Sequence, residues 1–380
     1  VQRMGAALRS ERLAAVVLVA AALVGLALAN SPLATGFAAV LHARWGPVPG
    51  LELSTEHWIS DGLLAAFFLV AAIELKHELA RGELSSPAKA ARPLIAAVCG
   101  VATPALVYLA IAGPAGFGAG WPIPTATDVA FALGVLALVG RGLPSRIRVF
   151  LLALAVIDDL IAIVLIAVFF TAAVDLVSLA LAVVCVIGFG VLVRIPEFWV
   201  QPISVALAGL AWWFVLQSGV HATIAGVALG LALPVASGGR LRHALEPWVN
   251  GVVLPLFALA AAAVAIPAVS PGQLSPVFWA VLVALPVGKI VGIGIGGWVG
   301  AVVEQRRWRG PSPLELAALG ALGGIGFTVS LLMNELAFRG REELATEGTL
   351  AVLAGSAVSV VAASVLVSLL SRRHRARAAG

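Results

Sequence analysis

Asp158 and Asp159 stand side by side, with Leu154-Ala-Val-Ile157 before them and Leu160-Ile-Ala-Ile163 after. Two carboxylates in so apolar a run are costly to ionise together, so they suit a ligand that brings positive charge. An alkali cation or a proton meets that need, because carboxylate oxygens are hard ligands for either. A pair this close titrates as one unit. Neighbouring residues on a helix point about 100° apart, which lets one carboxylate face a cavity while the other turns to a neighbouring helix. Asp128, after Pro122-Ile-Pro-Thr-Ala-Thr127, and Lys289, in Leu285-Pro-Val-Gly-Lys-Ile290, are two more charges inside apolar stretches. One lysine does not neutralise three aspartates, so a purely structural set of ion pairs leaves surplus charge unexplained. For Lys289 alone, an architectural pairing with one carboxylate stays open.

The elements that hold these residues follow from composition. The 380-residue chain is 61% hydrophobic and only 11% charged, with a mean hydropathy of +1.06, which excludes a soluble globular domain. A helix needs about 20 apolar residues to cross the hydrocarbon layer. Such stretches recur near 12–30, 58–77, 94–112, 121–140, 148–172, 175–193, 203–217, 219–236, 250–269, 277–302, 314–337 and 349–370. The expected fold is all-α, a single polytopic membrane domain over 1–380 with about twelve transmembrane helices. The first stretch is read as a retained helix rather than a secretory signal.

Alternate loops carry most of the 24 Lys and Arg residues, as the positive-inside rule requires for an even number of spans with both termini cytoplasmic. Among them are Arg3, Arg9, Arg141, Arg146, Arg148 and the tail over 371–380. The net charge of +5 therefore reports orientation, and no nucleic-acid surface is read from it. Cys99 and Cys185 lie inside apolar spans without metal-ligand spacing, and no cofactor is expected. Residues 43–55 place turn formers between short alternating runs, which fits either a small hairpin or a proline-rich loop.

Two spans are poor continuous helices. The fourth holds Pro122 and Pro124, and proline removes a backbone donor and clashes with the preceding turn. The eleventh holds Gly320, Gly323, Gly324 and Gly326 ahead of Phe327-Thr-Val-Ser330. Interrupted spans in corresponding positions of two halves, here approximately 94–172 and 277–370, point to a transport site at the interface of inverted repeats. Broken ends need compensating charge, and Asp128 suits the positive ends as Lys289 suits the negative.

At these residues the chain resembles the NhaA-type sodium/proton antiporters of bacteria. The matching runs are Phe67-Phe-Leu-Val-Ala-Ala-Ile-Glu-Leu-Lys-His-Glu-Leu79, Ile123-Pro-Thr-Ala-Thr-Asp-Val-Ala-Phe-Ala-Leu-Gly134 and Ala153-Leu-Ala-Val-Ile-Asp-Asp-Leu160. Ser218-Gly-Val-His-Ala-Thr-Ile-Ala-Gly226 and Gly324-Ile-Gly-Phe-Thr-Val-Ser330 complete them.

The resemblance implies that spans 4 and 11 unwind and cross at mid-membrane. Asp158 and Asp159 would bind sodium or lithium and protons, with Thr127 as a further ligand. Asp128 and Lys289 would compensate charge, and Lys289 would pair with Asp158 when no sodium is bound. Glu74 and Glu78 would lie near the cytoplasmic entrance, and with His221 and Asp61 would bear on pH response; for His221 a plain hydrogen-bonded histidine is an equal reading. The hairpin would pair two protomers in a homodimer embedded in lipid of the bacterial inner membrane. One departure is Arg242-His243-Ala-Leu-Glu246-Pro-Trp248, where Arg242 replaces an acid and Glu246 a histidine of the family pattern. Two rivals are an intramembrane aspartyl protease built on Asp128 and Asp158, disfavoured because no Gly-X-Gly-Asp run is present, and a sodium-coupled organic-anion transporter, disfavoured by the lack of a buried arginine.

Overall fold

The computed structural model describes residues 11–46, 51–82, 85–140, 143–170, 174–195, 197, 200–266, 271–303 and 311–379. The hairpin tip at 47–50 and the basic residues Arg3, Arg9, Arg141, Arg306, Arg307 and Arg309 lie outside them.

Helix α1 (Glu11–Ala29) is followed by α2 (Ala34–His42), bent away from it by 114°. A two-stranded antiparallel hairpin, β1 (Arg44–Trp45) and β2 (Leu53–Ser54), then pairs Arg44 with Ser54 and Trp45 with Leu53. Next come α3 (Thr55–Arg81), α4 (Pro87–Ala112), two 3-10 turns at Gly118–Gly120 and Ile123–Thr125, α5 (Val129–Val139), α6 (Ser145–Phe169), α7 (Leu176–Leu192) and α8 (Val200–Gln217). The chain ends with α9 (Thr223–Ala232), α10 (Val235–Ala261), α11 (Pro276–Val302), α12 (Pro313–Gly323), α13 (Phe327–Ala337) and α14 (Glu342–Ala379).

Seven of these helices are long and apolar enough to cross a membrane, and ten spans result if each bent pair counts as one. The shorter apolar helices α7 and α9 give each of the twelve apolar stretches a helical counterpart. Large side chains such as Leu106, Val168, Leu176, Val205 and Val361 are exposed on the outer surface, as lipid-facing residues of a polytopic protein are.

The first half of the fourth span is not α-helical, in line with the expected interruption: Pro122 and Pro124 withhold donors and leave only 3-10 turns. Two local differences from the sequence reading have physical causes. The eighth stretch is helical only over Thr223–Ala232, ending where Leu233 adopts an extended conformation before Pro234. The stretch from Arg242 to Trp248, expected as a loop, lies in a helix that starts at Val235 and passes Pro247 through a π-turn over Val249–Val253.

The short α9 lies directly on α3. A Cβ at Gly226 would stand 2.0 Å from the Ala65 carbonyl oxygen, and one at Gly230 2.6 Å from that of Leu69. Gly226→Ala is therefore expected to lower stability by about 1–3 kcal/mol through overpacking against rigid backbone. A reduced thermal midpoint of the detergent-solubilised protein checks this, and an unchanged midpoint contradicts the close approach.

Candidate ion-binding site

The site forms where the two interrupted spans meet. The break between the 3-10 turn at Ile123–Thr125 and α5 is bent by 40°, and that between α12 and α13 by 52°. They touch through backbone, the Asp128 N–H donating to the Ile325 carbonyl at 2.6 Å. Each break leaves donors at the start of its second half and acceptors at the end of its first.

Asp128 meets the donors of both halves. As N-cap of α5, its Oδ1 accepts from the Phe131 N–H at 2.9 Å. Its Oδ2 accepts from the Thr328 hydroxyl at 2.8 Å and the Thr328 N–H at 3.3 Å, in the first turn of α13. One carboxylate thus sits at two helix N-termini, where negative charge is favoured. The Phe327 N–H is met by the Ser356 hydroxyl of α14. On the acceptor side, the Thr127 hydroxyl lies 2.8 Å from the Gly323 carbonyl.

Asp158 faces this crossing from the middle of α6, fully buried. Its Oδ2 accepts from Lys289 Nζ at 2.7 Å and from the Thr127 hydroxyl at 2.7 Å. Lys289, also fully buried, follows a π-turn over Ala284–Gly288 in α11. The sequence reading had Lys289 balance the negative ends and also pair with Asp158. Its ammonium lies 2.7 Å from Asp158 Oδ2, and the carbonyls of Gly323 and Ile325 accept from Thr127 and Asp128. Thr127 has one hydroxyl hydrogen and two close acceptors, so it serves only one at a time. Asp158 Oδ1 is buried and has no hydrogen-bond partner among the described residues.

Asp159 points elsewhere, as consecutive helical residues must. It is half-buried and lines a cavity of about 270 Å³ with Glu74, Glu246, Arg148 and Arg242. Glu74 and Arg242 are paired at 3.2 Å, and both residues that depart from the expected pattern, Arg242 and Glu246, line this funnel. Glu78, one turn beyond Glu74 on α3, lies 3.9 Å from the His77 ring.

Asp61 and His221 come together far from this funnel. Their side chains lie 3.3 Å apart, and the other ring nitrogen of His221 is 2.8 Å from the Thr223 hydroxyl. Thirteen residues of α3 separate Asp61 from Glu74, about 20 Å of helix. Gly324 and Gly326 lie at the second break, where a Cβ on Gly324 would stand 2.9 Å from the Leu285 carbonyl. Pro124 is buried in the 3-10 turn ahead of the first.

Several participants were not singled out from sequence. Arg148 on the funnel wall and Ser356 behind the second break carry no local signal. Glu335, inside the eleventh span with Glu56, Asp61 and Arg339 as its charged neighbours, is an intramembrane acid that a stricter census of that span reveals. Lys76 of α3 donates to the Leu231 and Leu233 carbonyls at 2.6 Å, so it caps the end of short α9.

The partners of Asp128 and Asp158 differ, and a protease dyad is not what they form. Comparison with known proteins points the same way. The sequence profile of the family described as Na+/H+ antiporter 1 matches residues 5–367. A protein named "Na(+)/H(+) antiporter NhaA 2" from Clavibacter michiganensis is 55% identical over 98% of this chain and 93% of its own length. Those named "Na(+)/H(+) antiporter NhaA" from Streptomyces avermitilis and Tropheryma whipplei are 45% and 44% identical, over 97% and 95% of this chain and 82% and 94% of theirs. With the profile spanning nearly all of the sequence and such relatives matched along almost their whole length, this chain belongs to the Na+/H+ antiporter 1 family of multi-pass membrane proteins.

Proposed function

We propose that this protein exchanges sodium, and lithium in its place, for protons across a bacterial inner membrane, with both termini in the cytoplasm. The single observation that carries the reading is the Asp158/Asp159 pair. One carboxylate is fully buried with an oxygen that has no partner among the described residues, and its neighbour faces a cavity. A cation entering along the Asp159 wall meets carboxylate, hydroxyl and carbonyl oxygens from Asp159, Asp158, Thr127 and Gly323, a donor set suited to a hard monovalent ion. Protons occupy the same carboxylates when the cation is absent.

Competition for one site couples the fluxes. Protons taken up from outside neutralise the pair, the interrupted spans rock as parts of two inverted repeats, and the site opens to the cytoplasm. Sodium then displaces the protons and returns outward, driven by the proton gradient. In this cycle Lys289 holds Asp158 between ions, and Asp128 keeps the helix ends neutral as they move. Glu74 and Glu78 belong to the cytoplasmic entrance, and Asp61 with His221 to the opposite side of the barrier. The β1–β2 hairpin serves as the contact between two protomers.

Proton efflux from acid-loaded proteoliposomes on adding sodium, lithium or potassium tests the activity. Efflux with sodium or lithium is expected, and its absence with every alkali cation rejects the proposal. Because protonation removes the ligand charge, the apparent KM for sodium is expected to rise as pH falls, by up to about tenfold per unit for each competing proton. A KM that stays flat over the range where activity titrates contradicts a shared site.

A further inference from the structure

Glu335 is an intramembrane acid that neither the ion site nor the Asp159 funnel uses. It stands near the end of α13, half-buried inside the eleventh apolar span. An ionisable side chain in such a span is costly, and function is its default reading. Its charged neighbours are Glu56 and Asp61 at the start of α3 and Arg339 just past the end of α13.

The helix itself connects Glu335 to the crossing. Thr328, in the first turn of α13, donates to Asp128 through its hydroxyl and its N–H. Seven residues on, two turns and about 10 Å along the axis, Glu335 returns to the same stripe of the helix. The adjacent Asn334, turned about 100° away, is committed to α14, where it donates to the Ala345 carbonyl at 2.7 Å and the Thr349 hydroxyl at 3.1 Å. Thus α13 is fastened to α14 by one face and carries Glu335 toward the start of α3 on another.

Proton-carrying groups lead from there to the surface. His42, at the end of α2, has a side chain 71% exposed and lies 3.6 Å from Glu56, which is 33% exposed. Further in, Asp61 is 10% exposed and lies 3.3 Å from His221, which is 6% exposed. Carboxylates and imidazoles both accept and release protons near neutral pH when their surroundings are tuned to it. Exposure falls steadily along this series, and Glu335 is its member on the half-helix whose first turn holds Asp128.

We infer that Glu335 is a proton-relay residue of the exchange cycle, taking protons that enter past Glu56 and Asp61 and handing them toward the Asp158/Asp159 pair when the site opens on this side. An O–H bond of a hydronium ion breaks as one forms on the Glu335 carboxylate; the proton then leaves through water in the open passage, and the carboxylate is regenerated. Sodium needs no such carrier, because its ligands are Asp158, Asp159, Thr127 and the Gly323 carbonyl, and it crosses the hydrated passage as a free ion. The inference rests on the antiport reading and adds to it the path of the proton on the side away from the funnel.

Two exchange reactions of the full-length protein in proteoliposomes separate a relay from a structural role. Sodium-for-proton exchange requires proton transfer. Uptake of radioactive sodium against unlabelled internal sodium, at equal alkaline pH on both sides, requires the same binding and alternation but no net proton movement. Glu335→Gln, a near-isosteric change, is expected to lower the Vmax of sodium-for-proton exchange about tenfold, since Asp61 and water leave a slower route. The same variant is expected to keep sodium-for-sodium exchange at the wild-type rate. Glu335→Asp retains a titratable carboxyl and is expected to recover most of the proton-coupled rate.

Rates of Glu335→Gln that match the wild type in both reactions overturn the relay. Rates that fall together in both reactions overturn it too and make Glu335 a structural residue, as does a Glu335→Asp variant no faster than Glu335→Gln in proton-coupled exchange. The wild type tests the underlying reading separately. Sodium-for-sodium exchange without any alkali-driven proton flux in the unmodified protein rejects antiport itself, whereas intact wild-type antiport with an unselective Glu335→Gln defect rejects the relay alone.

Discussion

Asp159→Asn is expected to leave the protein folded and to reduce sodium-driven proton movement by about two orders of magnitude, the scale of losing a charged ligand from a buried site. The side chain is half-buried on the funnel wall, so a near-isosteric amide disturbs little packing while removing both the negative charge and the proton-binding group. Asp158→Asn is expected to abolish exchange to the same degree and in addition to destabilise the protein. Its carboxylate is the partner of the fully buried Lys289, and an amide leaves that ammonium without a counter-charge. The two variants therefore separate by stability and agree in activity. Proteoliposome flux together with thermal unfolding in detergent makes the distinction, and sodium-dependent flux retained in both variants removes the proposed site.

The same contrast shows what was legible before the structure. Asp158 and Asp159 stood out because charge at membrane depth is expensive whatever surrounds it. Their different environments followed from the 100° step between them, but which faced the funnel did not. The two breaks were legible for a similar local reason, since Pro122, Pro124 and the Gly320–Gly326 cluster cannot sustain an uninterrupted ladder. That the breaks touch, and that Asp128 reaches Thr328 two hundred residues away, needed the fold. Arg242 was recognised only as a departure in an expected loop. Its place opposite Glu74 follows from a helix that polar composition, two glycines and Pro247 all argue against. Glu335 was legible only in part. A census of charge inside the eleventh span finds it, but Glu56 and Asp61, the neighbours that place it, come from the start of α3.

Lys289→Met is expected to cost about 3–5 kcal/mol of stability, the range for breaking a buried ion pair by removing one partner. The argument turns on what remains. Among the described residues, Asp158 keeps only the Thr127 hydroxyl, which it shares with the Gly323 carbonyl, and its other oxygen has no hydrogen-bond partner. With Lys289 gone, that carboxylate must stay charged in an apolar setting, take up a proton or hold a cation. Sodium is then expected to stabilise Lys289→Met more than the wild type, because it no longer competes with the ammonium for Asp158. The double variant Asp158→Asn/Lys289→Met removes both charges and is expected to recover most of the lost stability while remaining inactive, since a neutral pair has no unpaired ion to bury. Thermal midpoints of the four proteins, with and without sodium, form a closed cycle. A coupling energy near zero in that cycle means that Asp158 and Lys289 do not depend on each other for their charge, and the ammonium is then not the group that keeps the carboxylate ready for its ion.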